Sequence, residues 1–163
     1  MNKRANDPVT LGLLDALCTS ATSAFETMVF KAAKVETPVL RSGTLPPGSM
    51  SGTISLTGNS IMGSVSLIFE QEIVEKFFRS MMMMGDTDPV DMGELKDAVG
   101  ELTNMVAGGA KSQLQGKGIE FNIGLPTVVV GQKHYLELPQ DATSYIVPMT
   151  TDAGGFVMVS SIM

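Results

Sequence analysis

The sequence predicts an α+β domain in which a mostly antiparallel sheet packs against about three helices. Two observations carry this. Apolar residues recur at helical spacing in three stretches and at a period of two in several others. Those stretches run helix, strands, helix, helix, strands, an order unlike the βα alternation of a doubly wound parallel sheet. Each half begins with helical sequence and ends in strands, which points to a possible internal duplication. At 163 residues the chain fits a single domain, 1–163, able to bury a core without staples.

Asp7-Pro8 has the form of a helix N-cap followed by proline at the first helical position. Leu11, Leu14, Leu17, Cys18, Ala21, Phe25 and Met28 then keep helical spacing, predicting a first helix over about 8 to 34, with Pro38 preventing much further extension. Lys3-Arg4, ahead of it, is expected to fray.

From 36 to 69 the period becomes two, through Ile54 and Leu56 and then Val65, Leu67 and Phe69, with Gly58-Asn59 between the runs as a hairpin turn. SGTLPPGSMSG, 42 to 52, is the most loop-like stretch. Ile73, Val74, Phe77, Phe78 and Met81 predict a second helix over 71 to 84, with Gly85 placed to end it. The run Met81 to Met84 could serve metal, peptide or subunit contacts, but adaptable packing at a helix end suits it better. DTDPVD, 86 to 91, lacks the glycine and terminal glutamate of a calcium loop and reads as a helix-capping loop. The third helix follows over about 92 to 116, ended by Gly116 and Gly118. Four β-like segments complete the chain: IEFNIGLPTVVVG, KHYLELP, SYIVPMTTD and GFVMVSSIM.

The formal charge of -6 disfavours nucleic acid, whose phosphates need clustered Lys and Arg. No apolar run approaches the roughly 18 residues of a membrane span, and MNKRANDPVT leads into no uninterrupted signal-peptide core, so a cytoplasmic protein is expected. Cys18 is the single cysteine, which excludes an intrachain disulfide and a cysteine metal cage and suits a buried, inert thiol. His134 is the single histidine, expected at the surface, so multi-histidine zinc sites are excluded. Neither GxGxxG, GxxxxGK[ST] nor GxSxG occurs. Ordinary nucleotide-binding and hydrolase parts are missing, and no metal site is expected.

DAVGELTNMVAGGAK, 97 to 111, is the informative stretch. At about 100° per residue, with Asp97 at zero, Glu101 falls near 40°, Asn104 near -20°, Gly108 near 20° and Lys111 near -40°. Leu95, Val99, Leu102 and Val106 fall within about 40° of the opposite side and form a core face. A carboxylate and an amide thus stand one turn apart on a solvent face, able to reach one target together. Two helical glycines cost roughly 1 kcal/mol each against alanine, which close approach of another backbone would explain. Gly108 lies on the polar stripe; Gly109 suits internal packing. Spacing alone leaves the matter open, because polar residues on an exposed helical face require no function.

The run ELKDAVGELTNMVAGGAKSQLQ followed by FNIGLPTVVVG resembles the CheC/CheX/FliY phosphatases of bacterial chemotaxis, and SIMGSVSLIFEQEIVEKFFRSMMM resembles the family's hairpin and helix. The family pattern has a small or acidic residue four before a glutamate, then ExxN, then a proline in the next strand. Asp97, Glu101, Asn104 and Pro126 occupy those positions. CheC-type members carry a second ExxN on the first helix, whereas Glu26 here is followed by Thr27, Met28 and Val29. One site per chain is implied, most similar to CheX.

The resemblance implies a CheC-like fold, a homodimer, and hydrolysis of the aspartyl phosphate of a CheY-like response regulator. Glu101 and Asn104 are then the catalytic pair, with Asp97, Gly108 and Lys111 as partner-binding positions. The regulator is expected to supply the magnesium ion and a lysine, so the chain needs no cofactor of its own. Asn104, which cannot titrate usefully, would hold the attacking water, and Glu101 would pair with the regulator's lysine. Two other readings stay open: a non-catalytic regulator-binding module and a flagellar-switch-like structural component.

Overall fold

The computed structural model describes residues 3–163; Met1 and Asn2, which open the stretch read for a signal peptide, lie outside the described residues. Helix α1, Pro8–Ala24, starts as expected, with the Asp7 carboxylate accepting from the Val9 N–H at 3.2 Å. It passes into a π-helical turn, Phe25–Val29, and stops there instead of near residue 34. Phe30 takes a left-handed conformation, φ 60°, and the Lys31 N–H closes back on the Phe25 carbonyl. The next residues are thereby freed to pair in the sheet. Arg4 is not frayed: its backbone N–H donates to Thr143 Oγ1 at 3.2 Å, and its guanidinium binds the Asp7 carboxylate and the Met163 carbonyl.

The strands are β1 Lys34–Val35, β2 Val39–Leu40, β3 Gly48–Thr57, β4 Met62–Phe69, β5 Asn122–Ile123, β6 Thr127–His134, β7 Thr143–Thr151 and β8 Gly154–Ile162. They form one sheet in the order β1-β7-β8-β4-β3-β5, with β2 also on β7 and β6 also on β3. Every pairing among the described residues is antiparallel. This order is symmetric about the β4–β8 contact. Each half supplies a helix, two edge strands and a hairpin, and each half's edge strands pair with the other half's hairpin. The expected duplication is therefore legible as topology.

Two sequence boundaries need correction in the sheet. Residues 48–52, read as loop, open the central strand β3; Gly52 sits under α3, where a Cβ would run into Thr103 Oγ1. KHYLELP is not a separate strand: β6 ends at His134 and no strand covers 135–139. Between Gly48 and Met50 the β3–β6 register shifts, and Lys133 on the bulged strand has φ 51°.

Helix α2, Gln71–Met81, ends before Gly85. Met83 itself turns left-handed, φ 54°, and the Met84 and Met83 N–H groups donate to the Arg79 and Ser80 carbonyls, the pattern of a Schellman cap. Asp88 accepts from the Gly85 N–H, and Asp91 caps helix α3, Met92–Gln115. Gly118, φ 79°, closes α3 in the same Schellman manner, with Ile119 donating to Leu114. Helices α1 and α3 lie together on one sheet face over Met50, Ile54, Leu56, Val65 and Leu67, all buried. Phe25, Phe69, Phe77 and Phe156 form an aromatic cluster under α2, with Phe25 and Phe156 stacked at 4.7 Å. A smaller cluster, Leu45, Ile68 and Val159, occupies the other face.

Candidate functional site

Helix α3 is held by Leu95, Val99, Leu102 and Val106, each at most 1% exposed. These are the residues the helical wheel placed on the core face. The anchoring is tight on two sides. Thr103 packs onto Gly52 of β3, and Gly109 faces α1, where a Cβ would strike Ser20 Oγ. Ser20 Oγ in turn donates to the Val106 carbonyl at 2.8 Å. Gly109 serves helix–helix packing, as its position suggested.

The opposite side of α3 carries the polar stripe. Asp97 and Glu101 are exposed, while Asn104, Gly108 and Lys111 are half-exposed. A Cβ on Gly108 would meet nothing within 4 Å, so the surface beside the pair is open. Three ion pairs form among the described residues, Arg4–Asp7, Lys31–Asp152 and Lys34–Glu36, and none involves Asp97, Glu101 or Lys111. Glu101 and Asn104 are about 4.5 Å apart along the helix axis. The helix therefore presents a carboxylate and an amide outward from a rigid support, which is what positioning of an external group requires.

The flank of the stripe is built by the chain that returns after α3. Pro126 leans on α3 at Gly100, where a Cβ would lie 3.6 Å from Pro126 Cγ and from Val128 Cγ2. Further along, Lys111 and Gln115 join Thr57, Gly58, Asn59, Glu120, Phe121 and Asn122 around a polar cavity of about 340 Å³. Nothing in the sequence foretells this cavity, because its walls come from three separate segments. A larger cavity, about 880 Å³, lies between residues 41–45 and 136–142. Its cation, Arg41, donates to the Pro139 and Ala142 carbonyls and is thus engaged in holding that loop.

Other candidates fare differently. Glu26 is exposed on the π-helical turn, but the residue three further on is Val29, fully buried. His134 is half-buried rather than loose at the surface, with Nε2 2.6 Å from Ser51 Oγ and Nδ1 2.8 Å from the Gly131 carbonyl oxygen. Ser51 is 1% exposed, so this pair ties β6 to β3 and offers no accessible nucleophile. Cys18 is half-buried, and burial, followed by the neighbouring Asp15 charge, pushes its thiol up to about 11. That is an inert thiol. Among the described residues no three His, Cys, Asp or Glu side chains group to hold a metal ion, and no helix is long and apolar enough to cross a membrane.

The family model "Chemotaxis phosphatase CheX" matches residues 50–150. A CheC-like superfamily protein from Shewanella sp. PV-4 is similar in structure, at 31% identity and TM-score 0.84, over 93% of this chain and 97% of that one. The chemotaxis protein CheX of Vibrio vulnificus is similar at 27% identity and TM-score 0.81, over 91% and 98%. A CheX of Borrelia burgdorferi, solved in complex with CheY, BeF3 and magnesium, shares the fold at 22% identity and TM-score 0.73, over 92% and 96%. Among curated proteins none matches the sequence. With a family model covering most of the chain and a fold to match, the protein belongs to the CheX family of chemotaxis phosphatases.

Proposed function

We propose that the chain is a phosphatase for a CheY-like response regulator, docking through α3 and hydrolysing the regulator's aspartyl phosphate. The observation that carries this is the outward Glu101–Asn104 pair on a rigidly packed helix, in a chain of the chemotaxis phosphatase family. The complex of the Borrelia relative with CheY and magnesium supports the choice of partner.

Asn104 presents an amide N–H and carbonyl to one water and orients it in line with the phosphorus–oxygen bond. The water oxygen bonds to phosphorus as the bond to the aspartate oxygen breaks. The regulator recovers its carboxylate, and both water protons leave on dihydrogen phosphate, so no general base is required. Glu101 pairs with a lysine of the regulator and fixes the pose. Asp97, Gly108 and Lys111 lie along the docked surface. The magnesium ion belongs to the regulator, where it neutralises the charge of the phosphoryl oxygens. The reading further holds that the protein is a cytoplasmic homodimer.

The test is the lifetime of phosphoryl label on the organism's CheY-like regulators, with magnesium, in the presence of the natural chain or Asn104→Ala. Faster loss with the natural chain alone supports the proposal. Binding with an unaltered lifetime would make the chain a regulator-binding module instead, and stable assembly with flagellar motor proteins would make it a structural component.

A further inference from the structure

Leu125 stands in solvent next to Pro126, the residue that packs on α3 at Gly100, one position before Glu101. At 90% exposure it is the most exposed large apolar side chain among the described residues. A lone surface leucine needs no explanation, but this one is held in place on both sides. It occupies the three-residue link between β5 and β6, whose ends pair with β3 at Leu56↔Ile123 and Thr53↔Thr127. The Gly124 N–H donates to the Ser55 carbonyl at 3.0 Å, and Pro126 rests on Gly100 of α3. The backbone that presents Leu125 is thus fixed before any partner arrives, so little freedom remains to be lost on docking.

Its place is equally specific. Gly100 immediately precedes Glu101 and lies about one turn before Asn104, on the Asn104 side of the stripe. Segment 120–126 therefore runs as a wall along the stripe. It is apolar at the end near the pair, where Leu125 stands, and polar at the far end, where Lys111 and Asn122 line the small cavity.

We propose that Leu125 is a docking anchor, buried against an apolar side chain of the phosphorylated regulator beside its phosphorylation site. This rests on the phosphatase reading for the identity of the partner. Exposed polar contacts such as those of Glu101 and Asn104 direct chemistry and pose; a pre-positioned aliphatic side chain that loses its water on docking supplies affinity. It also keeps solvent from the reacting phosphoryl group except for the water that Asn104 holds. Leu125 is a positioning and affinity residue, and its loss falls on binding.

The experiment titrates the natural chain, Leu125→Ala and Leu125→Asp against the regulator loaded with beryllofluoride and magnesium, then repeats the series as dephosphorylation kinetics. Leu125→Asp is expected to weaken Kd at least tenfold and Leu125→Ala severalfold, with KM rising in parallel and the melting temperature unmoved. An unchanged Kd for Leu125→Asp overturns the proposal, as does a loss of binding that tracks a lowered melting temperature. If the natural chain binds in a Leu125-dependent way yet does not shorten the phosphoryl lifetime, the phosphatase reading fails while the anchor stands. Absence of binding by the natural chain overturns both.

Discussion

Asn104 can orient a water but cannot take its proton, and this limits what its removal can do. Asn104→Ala should lower the phosphatase rate about a hundredfold, the scale on which a single positioned hydrogen-bonding group acts. Its half-exposed side chain faces away from the core, so the thermal transition should stay where it is. Glu101→Ala should raise KM about tenfold, because the regulator's lysine is left without its counter-charge; steady-state kinetics separates the two. Cys18, with its thiol pushed up to about 11, should react slowly with iodoacetamide at neutral pH and faster in denaturant. Because the folded state holds that proton more tightly than the unfolded chain, the Cys18 contribution is present below the ordinary thiol range and is lost as pH rises toward about 11. At this scale the shared solvent face of Glu101 and Asn104 was legible from helical spacing alone, whereas the role proposed for the pair came only from the family resemblance. Leu125 was not. It sits within the β-like segment IEFNIGLPTVVVG, and only the break between β5 and β6 at 124–126 leaves it in solvent.

Adjacent glycines on α3 separate two requirements that helix propensity alone would merge. Gly108 faces open space, so Gly108→Ala should stabilise the fold by about 0.5–1 kcal/mol through better helix propensity and reduced unfolded-state freedom. The same change should weaken regulator binding if the partner backbone comes close there. Gly109→Ala should destabilise by about 1–3 kcal/mol, because the added methyl must push Ser20 and α1 away. Paired thermal melts of the two variants check both signs. The caps teach a related point. Asp91 and Gly118 at the ends of α3 carry recognisable capping chemistry, and that helix was read to within a residue or so. At the end of α2 a methionine takes the left-handed position that Gly85 was expected to provide, and the π-helical turn that follows α1 is closed at Phe30 by the same left-handed conformation. Neither residue announces such a conformation, which explains why both helices were read too long.

The sheet is closed into one body by exchange between its halves, since each half's hairpin is flanked by the other half's edge strands. Alternation along each strand disclosed the class of sheet, but this exchange could not be read from sequence, because β1, β2 and β5 are two residues long and carry no period. Multi-angle light scattering should report a dimer of a 17.2 kDa chain, and a monomer at micromolar concentration would remove the homodimer from the proposal. The bulge that brings His134 onto Ser51 has a practical consequence. The Gly131 carbonyl can only accept, so His134 Nδ1 carries a proton towards it, while Nε2 lies 2.6 Å from the Ser51 hydroxyl. With one histidine in the chain, the imidazole nitrogens give a single pair of resonances, free of overlap. Their tautomer signature records whether the far end of β6 is seated on β3, so one side chain serves as a spectroscopic gauge of the sheet edge.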